Sequence, residues 1–353
     1  MANSQRIAVI AGDGVGPEVT AVGVRALEWA RDAHGVALEL WQLPLGAERW
    51  LRDGVGLPPA LFEEIRSTCC AVLLGALGDA RIPGHEHARE ILFGLRLGLD
   101  LYANVRPTRT LSSRLIPLRG FEQKKLDICV FRENTEGLYS GVGGQLRRGT
   151  PQELAIEEDV NTRHGVERIL RAAFEFAARE GRPLCMSDKS NALRHAHELW
   201  RRVFDEVRGD YPSVAAEHLY IDALCYELVR SPSRFSVIVS CNLFGDIVSD
   251  LVAALGGGLG LAPSANLHPG GSVPGVFEPV HGSAPNLAGR DLANPIAMLR
   301  TVGMLLSSLG RPELAHAIER ACTEAIEAFE CTPDVGGALG TAAAGEAVLR
   351  RLR

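Results

Sequence analysis

The chain has 353 residues, of which 46% are hydrophobic and 23% charged, and its formal net charge is −6. These values exclude a disordered or fibrous protein, and the length favours two domains. The acidic balance gives no support to nucleic-acid binding, and no apolar run is long enough to predict a membrane partner. The eight cysteines are scattered without the spacing of a metal site, and the first residues do not resemble a secretion signal. We therefore expect a cytoplasmic protein with free thiols.

Short apolar segments alternate with amphipathic ones along the chain. Strands of about six residues are predicted at 6–11, 70–75, 126–131, 182–187 and 235–240, each closed by Gly, Asp or Ser. Between them, the apolar residues of segment 166–177 recur with the period of a helix. This alternation predicts an α/β fold with a mainly parallel sheet.

A glycine-rich segment, GDGVGP at 12–17, follows the first predicted strand. Its spacing matches neither the GxGxxG dinucleotide fingerprint nor the GxxxxGK[ST] phosphate loop. The favoured interpretation is a tight turn from strand to helix, with Pro17 in the first helical turn.

Two carboxylates, Asp246 and Asp250, lie four residues apart on a predicted helix that begins just after a strand. One helical turn separates them, so they project from the same face. A hard divalent cation, Mg²⁺ or Mn²⁺, is the natural partner of paired carboxylates. The spacing alone leaves open a pair of solvent-facing acids.

Basic and phenolic side chains occur near predicted strand ends. Arg96, Arg106 and Arg132 suit a small substrate with two carboxylates, because a guanidinium group can bind a carboxylate through two hydrogen bonds. Tyr139 and Lys189 could relay protons if they share a pocket, since each changes the pKa of the other. Surface ion pairs, a buried tyrosine and a solvated lysine are the alternatives.

A long irregular segment rich in Gly, Pro and Asn extends from Phe277 to Asn286 and is followed by Asn294-Pro295. Loops of this length in compact domains are usually functional. With its exposed backbone amides and His281, it is a plausible clamp for adenine and phosphate.

Six motifs in this order resemble the β-decarboxylating dehydrogenases, the family that includes isocitrate, isopropylmalate, homoisocitrate and D-malate/tartrate dehydrogenases. The motifs are GDGVGPE at 12–18, LDLYANVRP at 99–107, RENTEG at 132–137, NLFGDIVSDL at 242–251, FEPVHGSAP at 277–285 and TPDVGG at 332–337. The resemblance implies an isopropylmalate dehydrogenase-like fold with the active site in a cleft between two domains. We expect a cofactor-side domain of residues 1–101 and 258–353, and a substrate, metal and dimerisation domain of residues 102–257.

The resemblance also implies roles for individual residues. Arg96, Arg106 and Arg132 would bind the malate core, Tyr139 and Lys189 would be catalytic, and Asp246 and Asp250 would bind the metal with Asp222 of the partner subunit. Lys189 would likewise enter from the partner, which makes the expected working unit a homodimer with shared active sites. The expected cofactor-binding residues are Asn191, near the nicotinamide, and His281, Gly282, Ser283, Ala284, Asn286, Asn294 and Asp334.

The residues before Arg96 bear on the substrate. Glu90 and Leu92 replace the Ser and Asn of isocitrate enzymes, and Phe93 replaces the Arg of homoisocitrate enzymes. Leu92 and Phe93 match the apolar pair of isopropylmalate enzymes, but the RENTEG motif, the segment 139–153 and the Lys-Ser-Asn sequence at 189–191 are closer to D-malate/tartrate enzymes. We therefore expect D-malate or tartrate as the substrate. The alternatives are 3-isopropylmalate and another 3-substituted malate, including a malate analogue of secondary metabolism, and Arg89 leaves open an anionic C3 group.

Two other classes of function fit these residues less well. A non-enzymatic binding descendant would have no need of Tyr139, Lys189 and the three aspartates together, and a metal-dependent hydrolase would not need an adenine loop. We expect NAD as the cofactor, with NADP also possible. Neutral Asn286 replaces the acid that repels the 2′-phosphate in NAD-dependent relatives, and Arg290 lies nearby.

Overall fold

The computed structural model describes residues 4–121 and 125–352. The strands are β1 (Gln5–Ile10), β2 (Leu38–Leu43), β3 (Ala71–Leu74), β4 (Ala103–Arg109), β5 (Asp127–Glu133), β6 (Gly143–Leu146), β7 (Leu154–Glu157), β8 (Leu184–Asp188), β9 (Ala216–Tyr220), β10 (Val237–Ser240), β11 (Pro263–Leu267) and β12 (Gly275–Pro279). The α-helices are α1 (Gly16–His34), α2 (Ala47–Asp53), α3 (Pro59–Thr68), α4 (Glu86–Gly98), α5 (Arg163–Glu180), α6 (Ala196–Asp210), α7 (Ile221–Arg230), α8 (Asn242–Leu255), α9 (Ile296–Ser308), α10 (Pro312–Glu327) and α11 (Thr341–Arg350).

The chain divides into two compact units. The first, called the terminal unit here, contains Met1–Leu101, Pro107–Lys125 and Ala253–Arg353, and the second, the middle unit, contains Tyr102–Arg106 and Leu126–Val252. The expected boundaries had placed residues 107–125 and 253–257 in the middle domain. The structure places them in the terminal unit, where Arg114 donates hydrogen bonds to the carbonyl oxygens of Val335 (2.6 Å) and Ile326 (2.7 Å). The functions expected of the two domains stay predictions.

In the terminal unit the strand order is β2-β1-β3-β12-β11, parallel except for the antiparallel pair of β11 and β12. Side chains alternate between the two faces of a strand. Accordingly, Ile7 and Val9 of β1 join a core with α1 and α9, and Ala8 and Ile10 join a second core with α3 and α4. Helices therefore cover both faces of this part of the sheet, which explains why β3 and residues 7–10 of β1 are continuously apolar.

In the middle unit the strand order is β4-β5-β10-β8-β9, and β5, β10, β8 and β9 are parallel. The core of this unit contains Phe174 of α5 and Trp200 of α6, both fully buried. Strands β6 and β7 form a separate antiparallel pair whose residues are all exposed.

The predicted elements and the fold class are confirmed. The five predicted strands correspond to β1, β3, β5, β8 and β10, and the predicted helical segment 166–177 lies within α5. Thr162 caps the start of α5 by accepting a hydrogen bond from the Gly165 amide, and Gly181 ends the helix in a left-handed conformation.

The glycine-rich segment forms the predicted turn. Helix α1 begins at Gly16, with Pro17 in its first turn. Gly14 has φ +57° and lies so close to Ser283 that an added Cβ would be 2.0 Å from the Ser283 carbonyl oxygen. The same carbonyl accepts a hydrogen bond from the Val15 amide (2.9 Å). The turn therefore supports the expected cofactor loop.

Candidate active site

The middle unit brings Arg132 and Asp246 together at the carboxyl ends of β5 and β10. Arg132 on β5 is in register with Ser240 on β10, and α8 begins two residues after Ser240. Gly245 permits this close approach, because a Cβ there would lie 2.8 Å from the Cβ of Arg132. As a result the Arg132 side chain is only 3% exposed, and its guanidinium group forms an ion pair with Asp246.

Arg106 on β4 contacts the same helix. Its Nη1 lies 3.2 Å from Asp246 Oδ1 and 3.3 Å from Asp250 Oδ1, and it donates a hydrogen bond to Ser249 Oγ (2.9 Å). Burial and the neighbouring Asp246 raise the pKa of Asp250, against the opposing effect of Arg106. The two aspartates therefore form a pair of closely spaced carboxylates that a cation would stabilise.

Tyr139 completes this group. It follows β5 in a short 3₁₀ turn, Leu138–Ser140, and its hydroxyl donates a hydrogen bond to Asp246 Oδ2 (3.2 Å). Burial raises the pKa of Tyr139, and the negative charge of Asp246 raises it further. The phenol thus remains protonated near neutral pH and is available as a proton donor.

Lys189 and Asp222 form a second pair in the middle unit. Strands β8 and β9 are parallel neighbours, Lys189 follows β8, and Asp222 lies in the first turn of α7 after β9. Lys189 Nζ lies 2.5 Å from Asp222 Oδ1, and this contact lowers the pKa of Asp222. Asn191, two residues further along, is exposed.

The three aspartates do not form a metal site within one chain. Within residues 4–121 and 125–352, no three or more His, Cys, Asp or Glu residues are grouped as metal ligands. Asp246 and Asp250 share Arg106, whereas Asp222 is paired with Lys189.

Two asparagines that the sequence analysis did not single out orient the arginines. Asn242 Oδ1 accepts hydrogen bonds from Arg132 Nε (2.9 Å) and Nη2 (2.7 Å), and its Nδ2 donates to the Glu136 carbonyl oxygen (2.9 Å). Asn104 Oδ1 accepts a hydrogen bond from Arg106 Nε (2.7 Å). Asn104 lies in the motif LDLYANVRP and Asn242 in NLFGDIVSDL. An amide close to charged residues in these motifs is the sequence signal that could have indicated their role.

The terminal unit holds Arg96, the third expected substrate arginine, on α4. Its Nη2 donates a hydrogen bond to Glu278 Oε1 (2.8 Å), which also accepts one from Asn266 Nδ2 (2.8 Å). Arg96 is 6% exposed, and among the described residues its Nε has no hydrogen-bond partner. A buried donor of this kind suits a carboxylate ligand.

The expected specificity residues precede Arg96 on α4. Leu92 packs against the core that contains Ile91 and Leu95. The Phe93 ring is partly buried, and its centroid lies 6.0 Å from the guanidinium carbons of both Arg89 and Arg96. Arg89 itself is exposed.

Four of the expected cofactor residues of the terminal unit line a cavity of about 170 Å³. Its lining includes His281, Ala284, Leu287, Asn294 and Asp334. Asn294 Nδ2 donates a hydrogen bond to Asp334 Oδ2 (3.0 Å). Gly282 and Ser283 lie between the lining residues, Asn286 is exposed, and the Asn286 carbonyl oxygen accepts a hydrogen bond from Arg290 Nη1 (3.3 Å).

His281 presents an unpaired nitrogen in this cavity wall. Its Nδ1 lies 3.1 Å from the Gly282 carbonyl oxygen and must donate there, so Nε2 is an acceptor. This buried Nε2 has no partner among the described residues. Burial lowers the pKa of His281, which favours the neutral ring.

Comparison with known proteins identifies the family. The family model described as isocitrate/isopropylmalate dehydrogenase matches residues 6–348. The chain belongs to this family. It is an NAD-dependent β-decarboxylating dehydrogenase. No helix in the described part of the chain is long and apolar enough to cross a membrane.

Individual relatives refine the comparison. The chain is 45% identical over 327 residues to the 3-isopropylmalate dehydrogenase of Thermobifida fusca, with 92% of each chain covered. It is 44% identical over 351 residues to that of Clavibacter michiganensis, covering 98% of this chain and 97% of the relative. The crystal structure of isocitrate dehydrogenase from Methylococcus capsulatus superimposes with a TM-score of 0.89 at 36% identity, covering 99% of both chains.

The expectation of D-malate or tartrate as substrate is wrong. The curated relatives at 44–46% identity are named 3-isopropylmalate dehydrogenase, which supports the alternative reading of the sequence. The resemblance to the D-malate/tartrate branch rested on short segments around residues 132–153 and 189–191. Similarity over more than nine-tenths of the chain outweighs these segments.

Proposed function

We propose that this protein is a 3-isopropylmalate dehydrogenase, which oxidises the 2-hydroxyl of 3-isopropylmalate with NAD and releases CO₂ to give a 2-oxo acid. The observation that carries the proposal is the group of Arg106, Arg132, Tyr139, Asp246 and Asp250 in the middle unit. It combines two cations for carboxylates, two metal-type carboxylates and one proton donor. The apolar pair Leu92 and Phe93 beside Arg96 supports an alkyl substituent at C3.

The acidic residues fit a divalent metal. Asp246 and Asp250 offer oxygen ligands one helical turn apart, and Asp222 of the partner subunit would supply the third. Mg²⁺ or Mn²⁺, when bound, would act as a Lewis acid toward the 2-hydroxyl and the developing carbonyl. Arg106 and Arg132 form ion pairs with Asp246.

The cavity in the terminal unit fits the adenosine end of NAD. Its apolar lining suits a purine ring, and the unpaired Nε2 of His281 can accept a hydrogen bond from an exocyclic amine. NAD, when bound, would accept the hydride from C2. Arg290 is held at the Asn286 carbonyl, so a 2′-phosphate would compete for it.

The chain's own residues would carry the proton transfers. Arg106 and Arg132 would orient the carboxylates of the malate core. Lys189 would accept the proton of the 2-hydroxyl. After CO₂ leaves, Tyr139 would donate a proton to the former C3 carbon, a role for which its raised pKa is suited.

We also propose that the protein is a homodimer whose subunits share their active sites, and that it is located in the cytoplasm. Asp222 contacts Lys189. Within the described residues of one chain, Asp222 does not join Asp246 and Asp250 in a three-residue metal site. Exposed Tyr226 and Ile247 on α7 and α8 offer apolar surface for a partner. None of the eight cysteines forms a disulfide, and burial raises the pKa of Cys185 and Cys241 to about 12, as suits structural thiols.

A comparison of kcat/KM tests the function. The purified protein with Mg²⁺ and NAD is assayed for reduced nicotinamide with 3-isopropylmalate, D-malate, the tartrates and homoisocitrate. We expect 3-isopropylmalate to have the highest value. A higher kcat/KM for any of the other acids would overturn the substrate assignment.

A further inference from the structure

Lys189 lies in a segment that buried side chains hold in place. It follows β8 directly, and its backbone amide donates a hydrogen bond to His197 Nδ1 (3.0 Å). A backbone N–H can only donate, so Nδ1 of this imidazole must be the acceptor and Nε2 must carry the proton. His197 is 1% exposed, which shields the contact from water.

Asp159 selects that tautomer. Its Oδ2 lies 3.3 Å from His197 Nε2, and its Oδ1 accepts a hydrogen bond from Asn161 Nδ2 (2.9 Å). Asn161 Oδ1 in turn accepts a hydrogen bond from the indole of Trp200 (2.7 Å), a fully buried residue. The hydrogen bond from His197 lowers the pKa of Asp159, so the carboxylate stays charged.

The residues on either side of Lys189 are held independently. Asp188 Oδ1 accepts hydrogen bonds from the Ser190 amide (3.0 Å), the Ser190 hydroxyl (3.0 Å) and His218 Nε2 (2.9 Å). The Lys189 carbonyl oxygen also accepts hydrogen bonds from the amides of Ala192 (2.9 Å) and Leu193 (2.8 Å). Loss of the His197 contact would therefore release the Lys189 amide without unfolding the segment. The His197 ring also packs against Phe244 of α8, with 5.3 Å between ring centroids.

We propose that His197, fixed by Asp159, is a positioning residue that sets the backbone of Lys189 and, through it, the position of the side-chain nitrogen Nζ. The inference rests on the proposed function, in which Lys189 accepts the proton of the 2-hydroxyl. It assigns His197 no contact with substrate or cofactor. A misplacement of about 1 Å in a proton acceptor can lower the rate about a hundredfold. Loss of the positioning contact from His197 should therefore have a measurable effect on kcat.

Two variants with the same functional group separate this role from space filling. In His197→Asn the amide oxygen occupies the position of Nδ1 and can still accept the Lys189 N–H. In His197→Gln the amide group occupies the position of Nε2, so it keeps the contact with Asp159 and loses the one with Lys189. We expect kcat to fall about tenfold in His197→Gln and less than about threefold in His197→Asn, with the KM values for 3-isopropylmalate and NAD nearly unchanged.

Hydrogen–deuterium exchange at the Lys189 amide provides a readout that does not depend on activity. We expect faster exchange in His197→Gln and near-normal exchange in His197→Asn, with similar melting temperatures. Equal kcat values in the two variants, or normal Lys189 exchange in His197→Gln, would overturn the proposal.

Two further outcomes remain interpretable. If the unmodified protein oxidises neither 3-isopropylmalate nor the other malate-type acids, the proposed function is wrong. The exchange experiment still tests whether His197 positions the Lys189 backbone. If the His197 variants do not fold, Asp159→Ala replaces them, because Asp159 is partly exposed and its loss frees the tautomer. Unchanged Lys189 exchange in Asp159→Ala would also contradict the proposal.

Discussion

Tyr139 shows how a single residue acquires its chemistry from its surroundings. A phenol next to the Asp246 carboxylate and partly removed from water keeps its proton, because the ionised form would be repelled and poorly solvated. The nearby Arg132, 5.4 Å from the ring centroid, only partly offsets this effect. Tyr139 is therefore suited to donating a proton late in the reaction.

Tyr139→Phe should separate the two halves of the reaction. It removes the proton donor and leaves Arg106, Arg132 and the aspartates in place. We expect hydride transfer to be reduced less than formation of the final 2-oxo acid, by a difference of about 10²-fold. The measurement compares the rate of NAD reduction with the rate of product release in single-turnover experiments. Equal loss of both rates would contradict the assigned role.

Asn286 offers a second test at the scale of one residue. Its neutral side chain lacks the charge that repels a 2′-phosphate, so we expect NAD to be preferred over NADP only modestly. Asn286→Asp should increase the ratio of kcat/KM for NAD to that for NADP by about tenfold. Asn286→Ala is the control, since it removes the amide without adding charge. A higher kcat/KM for NADP than for NAD in the unmodified protein would sink this prediction.

Helix α4 determines where Phe93 and Arg96, the side chains of the terminal unit that we expect to face the substrate, lie. Ile91, Leu95 and Leu99 anchor one face in the core. The buried His87, at the start of the helix, contacts Asp13 through its Nε2 (2.9 Å). Asp13 also accepts hydrogen bonds from the amides of Ala47 (2.7 Å) and Gly78 (2.9 Å). Because both the face and the start of α4 are fixed, Phe93 and Arg96 occupy defined positions.

Phe93→Ala should lower kcat/KM for 3-isopropylmalate by about tenfold to a hundredfold, the range that lost apolar contact with a substrate commonly costs. D-malate, which lacks the isopropyl group, serves as the matched substrate and should change less than about threefold. The two kcat/KM values measured on the same preparation give the answer. A parallel loss for both substrates would show that Phe93 supports the helix and not the alkyl group.

At the scale of the whole molecule, the distribution of the acids predicts that two chains are needed for one site. Asp246 and Asp250 lie on α8, whereas Asp222 is paired with Lys189 near β8 and β9. The described residues of one chain supply no three-residue metal site. We therefore propose that Asp222 of a second copy completes the metal site that Asp246 and Asp250 begin.

Subunit mixing tests this arrangement. Lys189→Met and Asp246→Asn should each be nearly inactive as homodimers. After mixed refolding, random pairing gives hybrid dimers with one intact site, so we expect about a quarter of the unmodified activity. If each chain held a complete site of its own, every site would carry a lesion and mixing would restore nothing. Size-exclusion chromatography with light scattering checks that the mixture is dimeric.

Much of the fold follows from local patterns in the sequence. Apolar runs closed by Gly, Asp or Ser gave β1, β3, β5, β8 and β10, because a buried parallel strand must be apolar on both faces. The motifs also indicated the residue types of the site. The substrate expected from the sequence is wrong. Short motifs outside α4 resemble the D-malate/tartrate branch, whereas the relative that is similar over 92% of the chain is named 3-isopropylmalate dehydrogenase.

Which residues contact each other depends on the tertiary packing. Arg132 and Asp246 are more than a hundred positions apart, and their contact depends on the register of β5 with β10 and on the missing side chain at Gly245. The contact of Lys189 with His197 likewise requires the turn after β8 to bring α6 back against it. Local periodicity specifies which face of an element is buried. It carries no information about which backbone amide donates a hydrogen bond to a buried imidazole, because that depends on turn geometry and packing.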